Sequence, residues 1–165
     1  MREEQSRFFN LMTEFKKMHI ASMLPDINHG DYMMLKTIGR QCKENGGKGT
    51  TVSSIARGMA APMPAVSRGL KMTEHLGYVE RVVDREDRRN TYVFLTDEGR
   101  KILKKADKTM NDFADAVFGK MGEDNLRKLN QFLEVFVKTA QEEIASRKYQ
   151  SCKGQKGERV DEANR

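Results

Sequence analysis

The side chains best placed for chemistry lie between Thr51 and Leu95, and their chemistry is hydrogen bonding and charge pairing. Val52, Ile55, Ala56 and Met59 recur at the spacing of a buried helical face, and Thr51 and Ser53 supply oxygens that cap its start. Ala60-Ala61-Pro62 interrupts this helix. Pro64 then fits the first turn of a second helix, where its missing N–H has no partner to lose. This second helix is predicted to run to about His75, with Val66, Leu70 and Leu76 turned inward. Ala65, Ser67, Arg68, Lys71 and Met72 fall outside that apolar face. Small residues followed by a basic rim suit a helix that enters a major groove. Ala65 lets the backbone approach and can meet a thymine methyl, Arg68 reaches a base or phosphate, and Ser67 and Lys71 reach phosphates. Thr51 and Ser53 can also hold a phosphate, although capping is the first job of Thr51.

Gly77 is placed to stop the second helix. Tyr78 to Val83 and Thr91 to Leu95 are rich in β-branched and aromatic residues and predict a hairpin. Its tip, Asp84-Arg85-Glu86-Asp87-Arg88-Arg89-Asn90, is too polar to bury. Taken alone, this could be a solvated tip whose charges pair with one another. The mixed signs argue against a plain electrostatic patch, whereas a single Arg inserted into a narrow minor groove and held by a carboxylate fits them.

The elements that must position these residues follow from apolar periodicity. Residues from about Glu3 to Met23 predict one amphipathic helix. Asn28 can cap the next, with Asp31 in the place of the usual capping-box Glu and Tyr32, Leu35 and Ile38 as its stripe. Gly46-Gly47-Lys48-Gly49 is a flexible connector, and Gly58 weakens the helix it sits in by up to about 1 kcal/mol. Beyond a cap at Thr96 or Asp97, a long helix carries Ile102 through Phe118 until Gly119 and Gly122 break it. A last helix carries Leu126, Leu129, Phe132, Leu133, Phe136, Val137, Ala140 and Ile144. These stripes are wider than a monomer of 165 residues needs, so a two-fold dimer through the first helix and the last two is expected. From Lys148 the chain is polar and reads as a frayed tail.

Composition agrees with a single domain and a polyanionic partner: 33% of residues are charged, the net charge is +6 and the pI is near 9.3. The N-terminus has acids where a signal peptide needs an apolar run, and no stretch is long enough to span a bilayer, so a cytoplasmic protein without membrane contact is expected. Cys42 and Cys152 stand alone, which argues against a disulfide framework or a zinc site. Burial of Cys42 as a small hydrophobe is favoured over redox sensing. His19, His29 and His75 sit on separate elements, and metal binding is disfavoured because ligation needs converging donors. No nucleophile-base pair or phosphate loop suggests an enzyme, and no cofactor is implied.

In order and spacing, Ile55-Ala56, Val66-Ser67-Arg68, His75-Leu76-Gly77-Tyr78-Val79-Glu80-Arg81, the D-x-x-D-R-R run from Asp84 and Leu95-Thr96-Asp97-Glu98-Gly99 resemble the winged helix-turn-helix of MarR-type transcriptional regulators. The resemblance covers roughly the middle third of the chain. It implies a mainly α (α+β) fold: a winged-helix DNA-binding lobe over residues 24–99, with dimerisation helices over 3–23 and 97–147. Residues 1–147 would form one domain and 148–165 a disordered tail. It further implies a homodimeric repressor on double-stranded DNA with a pseudo-palindromic operator, relieved by a small-molecule effector in the inter-lobe cleft. Asp87 would orient Arg89 in the minor groove while Arg85 and Arg88 hold the backbone. The family's turn usually carries Gly where Ala60-Ala61-Pro62-Met63-Pro64 stands here, which leaves the turn geometry open. Rival readings are a winged-helix protein-interaction module without DNA binding, an activator, or a redox-responsive regulator of the same fold.

If Arg88 neutralises one phosphate, Arg88→Ala should flatten the salt dependence of operator binding by about one unit of log–log slope, measured by titrating labelled DNA over a salt series. An unchanged slope removes Arg88 from the contacts.

Overall fold

A computed structural model describes residues 2–84 and 91–162. The elements are α1 (Arg2–Lys17), a short 3₁₀ turn (Ile20–Met23), α2 (His29–Glu44), α3 (Val52–Met59), α4 (Met63–His75), β1 (Val79–Val83), β2 (Thr91–Leu95), α5 (Asp97–Met121) and α6 (Glu123–Glu162). The mainly helical winged-helix architecture is therefore as expected. The chain divides into two compact units, Met1–Phe113 and Ala114–Arg165. No described helix is long and apolar enough to cross a membrane.

In the first unit α2 is the central element, packed against α3, α4 and β2. Leu35 and Ile38 of α2, Ile55 of α3, Leu70 of α4 and Val93 of β2 are completely buried. Each such side chain stabilises the fold by roughly 2 kcal/mol through removal of apolar surface from water. Asn28 caps α2, its Oδ1 accepting the Asp31 N–H at 2.9 Å, while the Asp31 carboxylate accepts from the Asn28 side-chain amide at 2.6 Å. β1 and β2 pair antiparallel, with Val79 opposite Leu95 and Val83 opposite Thr91. Thr50 adds a bridge that the sequence did not announce, exchanging both backbone hydrogen bonds with Val93 (3.1 and 2.7 Å). Its buried hydroxyl donates to Gln41 Oε1 at 2.6 Å, and Gln41 Nε2 donates to the Ser54 carbonyl at 2.9 Å. One glutamine thus ties α2 to both the bridge and α3.

Four boundaries differ from expectation. The first helix stops at Lys17, because His19 takes a left-handed conformation (φ 44°) and its Nδ1 lies 2.6 Å from the Lys17 carbonyl oxygen. Leu76 is 45% exposed and not inward, because α4 ends one residue before it; buried Thr73 takes the inward position. Gly119 stays inside α5, and only Gly122 (φ 83°) breaks the chain direction. The expected tail is helical, α6 continuing through Lys148 to Glu162 across a proline-free stretch rich in Lys, Gln, Glu and Arg, all good helix formers.

Three backbone junctions explain residues that pattern alone had left ambiguous. α3 closes on Ala60, which adopts the left-handed conformation (φ 49°) usually given to Gly, with Ala60 N–H bonding the Arg57 carbonyl and Ala61 N–H the Ala56 carbonyl, both at 3.1 Å. Gly58 is a packing requirement as well as a weak helix former, since a methyl there would stand 2.9 Å from Thr37 Cγ2 and crowd Gln41. At the start of α5, Thr96 Oγ1 accepts the Gly99 N–H at 3.0 Å and donates to the Gly77 carbonyl at 2.6 Å. The Thr96 N–H bonds the Tyr78 carbonyl at 3.1 Å, and a methyl on Gly99 would collide with that same carbonyl oxygen.

In the second unit the last turns of α5 lead through Gly122 into α6, whose first turn is closed by Leu126 N–H to the Gly122 carbonyl at 3.1 Å. None of the described side chains of α6 is buried, and Phe132 is 72% exposed. Within the first unit, α1 likewise buries none of its residues.

Two substitutions test these junctions in thermal and denaturant melts. Ala60→Gly should stabilise by up to about 1 kcal/mol, the relief of left-handed strain outweighing the added freedom of the unfolded chain. Gly99→Ala should destabilise by about 3 kcal/mol, because backbone and not a flexible side chain occupies the space. A neutral Gly99→Ala would contradict the close approach to Tyr78.

Candidate nucleic-acid interface

The exposed flank of α4 carries the residues expected to recognise DNA. Pro64, Ala65, Ser67, Arg68 and Lys71 are all exposed, whereas Val66, Leu70 and Thr73 of the same helix are buried. The helix therefore presents one polar flank and anchors the other. Its start has no side-chain cap: Pro62 lends its carbonyl to the N–H groups of Ala65 (3.0 Å) and Val66 (3.2 Å), and Pro64 has no N–H to satisfy. Its end is held more firmly. Gly77 N–H bonds the Glu74 carbonyl at 3.0 Å and Tyr78 N–H the Thr73 carbonyl at 2.9 Å, with Gly77 at φ 73°.

Thr51 and Ser53 stand at the start of α3. Thr51 caps it, its Oγ1 accepting the Ser54 N–H at 3.3 Å and lying 3.0 Å from both the Ser53 and Ser54 hydroxyls. Ser53 is exposed. Between α3 and the start of α4 runs an open groove of about 530 Å³, bordered by Ser53, Arg57 and Met63 among others. Arg85, Asp87, Arg88 and Arg89, assigned to the hairpin tip, lie outside the described residues.

Two side chains beside these residues escaped sequence reasoning. Arg57 is exposed on α3 beside the groove, with one guanidinium N–H donating to Ser54 Oγ at 3.3 Å; its place one turn after Ser53 was the available signal. Arg81 of β1 pairs with Glu74 of α4 at 3.1 Å, tying the last turn of the helix to the hairpin. Both partners are partly exposed, so the pair contributes below about 1 kcal/mol and serves mainly to set geometry.

Cys42 is half-buried on α2, and its Sγ lies 3.6 Å from the Val93 carbonyl. Burial pushes its thiol above the ordinary value, with the Arg100 guanidinium pulling the other way by less. A raised thiol pKa leaves less thiolate near neutral pH, which fits a packing role better than redox sensing. Peptide-resolved alkylation with iodoacetamide should label Cys42 more slowly than a free cysteine peptide at pH 7.5, with the gap closing only as pH rises beyond the usual thiol range. Labelling at or above the peptide rate would reverse this assignment.

Similarity to known proteins was found through structure alone. No family model matches the sequence, and no curated protein matches it. The fold is similar to that of FabT of Streptococcus pneumoniae, solved in complex with DNA, at 19% identity and a TM-score of 0.69 over 84% of this chain and 98% of that one. It is similar to MepR of S. aureus in a MepR–DNA complex, at 19% identity and a TM-score of 0.62 over 81% and 94% of the two chains. It is also similar to Staphylococcus aureus MarR in complex with salicylate and kanamycin, at 20% identity and a TM-score of 0.66 over 82% and 94%. The chain thus has the winged-helix fold of MarR, MepR and FabT.

Proposed function

We propose that this protein is a homodimeric, sequence-specific DNA-binding regulator of transcription that represses by occupying a pseudo-palindromic operator. The observation that carries this reading is the exposed flank of Ala65, Ser67, Arg68 and Lys71 on a helix whose opposite flank is anchored in the core. Two proteins of this fold, FabT and MepR, have been solved with DNA.

In the proposed complex two α4 helices enter successive major grooves about 34 Å apart. Arg68 reads a base or grips a phosphate, Ala65 lies against a base edge, and Ser67 and Lys71 hold phosphates. Pro64 brings the backbone close, while Ser53 and the Thr51-capped start of α3 face the flanking phosphates. Arg85 and Arg88 engage the backbone around the minor groove, and Asp87 orients Arg89 within it. The exposed apolar stripes of α1 and α6, with Phe9 66% and Phe132 72% exposed, supply the surface that a second copy covers. Repression requires occupancy and no catalysis, and the protein acts where the DNA is, in the cytoplasm. An effector that binds one dimer conformation better than another would shift the population away from the DNA-compatible spacing; the MarR relative was solved with salicylate and kanamycin.

Selection of bound fragments from genomic DNA, followed by mobility shift, tests the reading. Arg68→Ala should weaken binding to a selected fragment roughly 5- to 150-fold, the equivalent of about 1–3 kcal/mol. Sedimentation should show a dimer that Phe132→Glu converts to monomer with loss of DNA binding. A wild-type protein that stays monomeric and retains no fragment at low ionic strength would overturn the proposal in favour of a protein-interaction module.

A further inference from the structure

α3 carries a positive charge that the fold leaves uncompensated. Arg57 is exposed, and the one side-chain partner of its guanidinium among the described residues is neutral, the Ser54 hydroxyl at 3.3 Å. Arg40, which shares with it an open hollow between α2 and α3, is committed to Glu44 at 3.1 Å, and no carboxylate lines that hollow. Arg68 and Lys71 of α4 are in the same condition as Arg57, exposed and without a carboxylate partner among the described residues. The cations of α3 and α4 are therefore all available to an anion from outside the chain.

Ser53 and Arg57 stand four residues apart and so share one face of α3. That face is one wall of the groove of about 530 Å³ that runs to the start of α4. The floor is apolar, made by the alanines of the turn with Pro62 and Met63, the last 45% exposed, and Arg57 is the one charged residue along it. Its α4 rim continues without a break into Pro64 and Ala65 of the exposed α4 flank. The walls are firm. Ile55 and Ala56 are buried behind α3, Gln41 Nε2 holds the Ser54 carbonyl at 2.9 Å, and the left-handed Ala60 with Pro62 fixes the turn. An apolar strip rimmed by one free cation and no acid complements a strand in which apolar sugars alternate with phosphates.

We propose, on the reading of the protein as a DNA-binding regulator, that this groove seats one strand of sugar–phosphate backbone at the edge of the major groove that α4 enters, with Arg57 gripping a phosphate and the alanine–proline floor against a deoxyribose. Ser54 occupies one edge of the guanidinium, which orients the planar fork and leaves its remaining donors for phosphate oxygens. Arg57 then fixes the register of the protein on the duplex and carries no sequence information.

The test titrates two labelled duplexes of equal length, one a fragment selected from genomic DNA and one unrelated, over a salt series. Arg57→Gln removes one phosphate contact per chain, two per dimer, and should flatten the log–log salt slope by about two units while weakening both duplexes by the same factor, at least about tenfold. Arg57→Lys, which keeps the charge, should keep the slope. Met63→Glu places a carboxylate in the groove at the first turn of α4, where an acid favours the helix, and should weaken both duplexes at least about tenfold, with Met63→Gln close to wild type. A wild-type slope for Arg57→Gln, a change in the ratio of the two affinities, or indifference to Met63→Glu would each overturn the assignment and leave DNA binding by α4 standing. A wild-type protein that retains neither duplex would overturn both.

Discussion

The hydroxyl of Thr96 is the narrowest point through which the first unit is organised. It accepts the Gly99 N–H to start α5 and donates to the Gly77 carbonyl, just beyond the end of α4. One side chain therefore fixes where the proposed recognition helix stops and where the next long helix begins. Gly99 is the steric counterpart, because only a residue without Cβ lets α5 come down on the Tyr78 carbonyl. Thr96 and Gly99 thus meet Gly77 and Tyr78 at one joint, and β1 and β2 lie in sequence between its two halves. Loss of either contact frees α4, β1 and α5 to move relative to one another.

A second level of organisation radiates from α2. Its buried Tyr32, Leu35 and Ile38 carry the apolar packing, while Gln41 carries polar connections to Thr50 and to the Ser54 carbonyl. The absence of a side chain at Gly58 and Gly39 lets α3 approach one side and the β2–α5 floor the other. Around α4 the resulting frame is rigid where rigidity matters: Val66, Leu70 and Thr73 are locked in the core, and the other flank is left free to meet a ligand. Preorganisation of this kind lowers the entropy lost on binding.

Charge is distributed according to the same division. The α4 flank and the α3 start present separated polar groups suited to positioning along a backbone, whereas the cations beside β2 and α5 are mostly paired, Lys36 with Asp107, Arg40 with Glu44 and Arg100 with Asp97. The first arrangement suits an extended polyanion, and the second, through Lys36 and Asp107, ties helices together. The apolar surface of α1 and α6 belongs to neither and is of the kind that association between copies removes from water.

The sequence by itself determined the elements whose signals are local. Apolar periodicity located α3 to the residue, the hairpin strands nearly so, and the buried stripe Tyr32, Leu35 and Ile38; the oxygens of Asn28 and Thr51 marked two helix starts and left Thr96 or Asp97 for a third, because a capping oxygen bonds a nearby N–H of its own first turn. The division of α4 into inward and outward residues was equally legible, except at Leu76, where the helix had already ended, and at Thr73, a polar residue buried in its place. Tertiary structure decided everything that depends on residues distant in sequence. It alone supplied the Thr50–Val93 bridge, the Gln41 contacts, the steric need for glycine at 58 and 99, and the pairing of Lys36 on α2 with Asp107 on α5. Periodicity records which face of an element is buried but not what it is buried against. Where the partner lies fifty residues away, only the folded chain can say whether an alanine fits or a charge finds a neighbour.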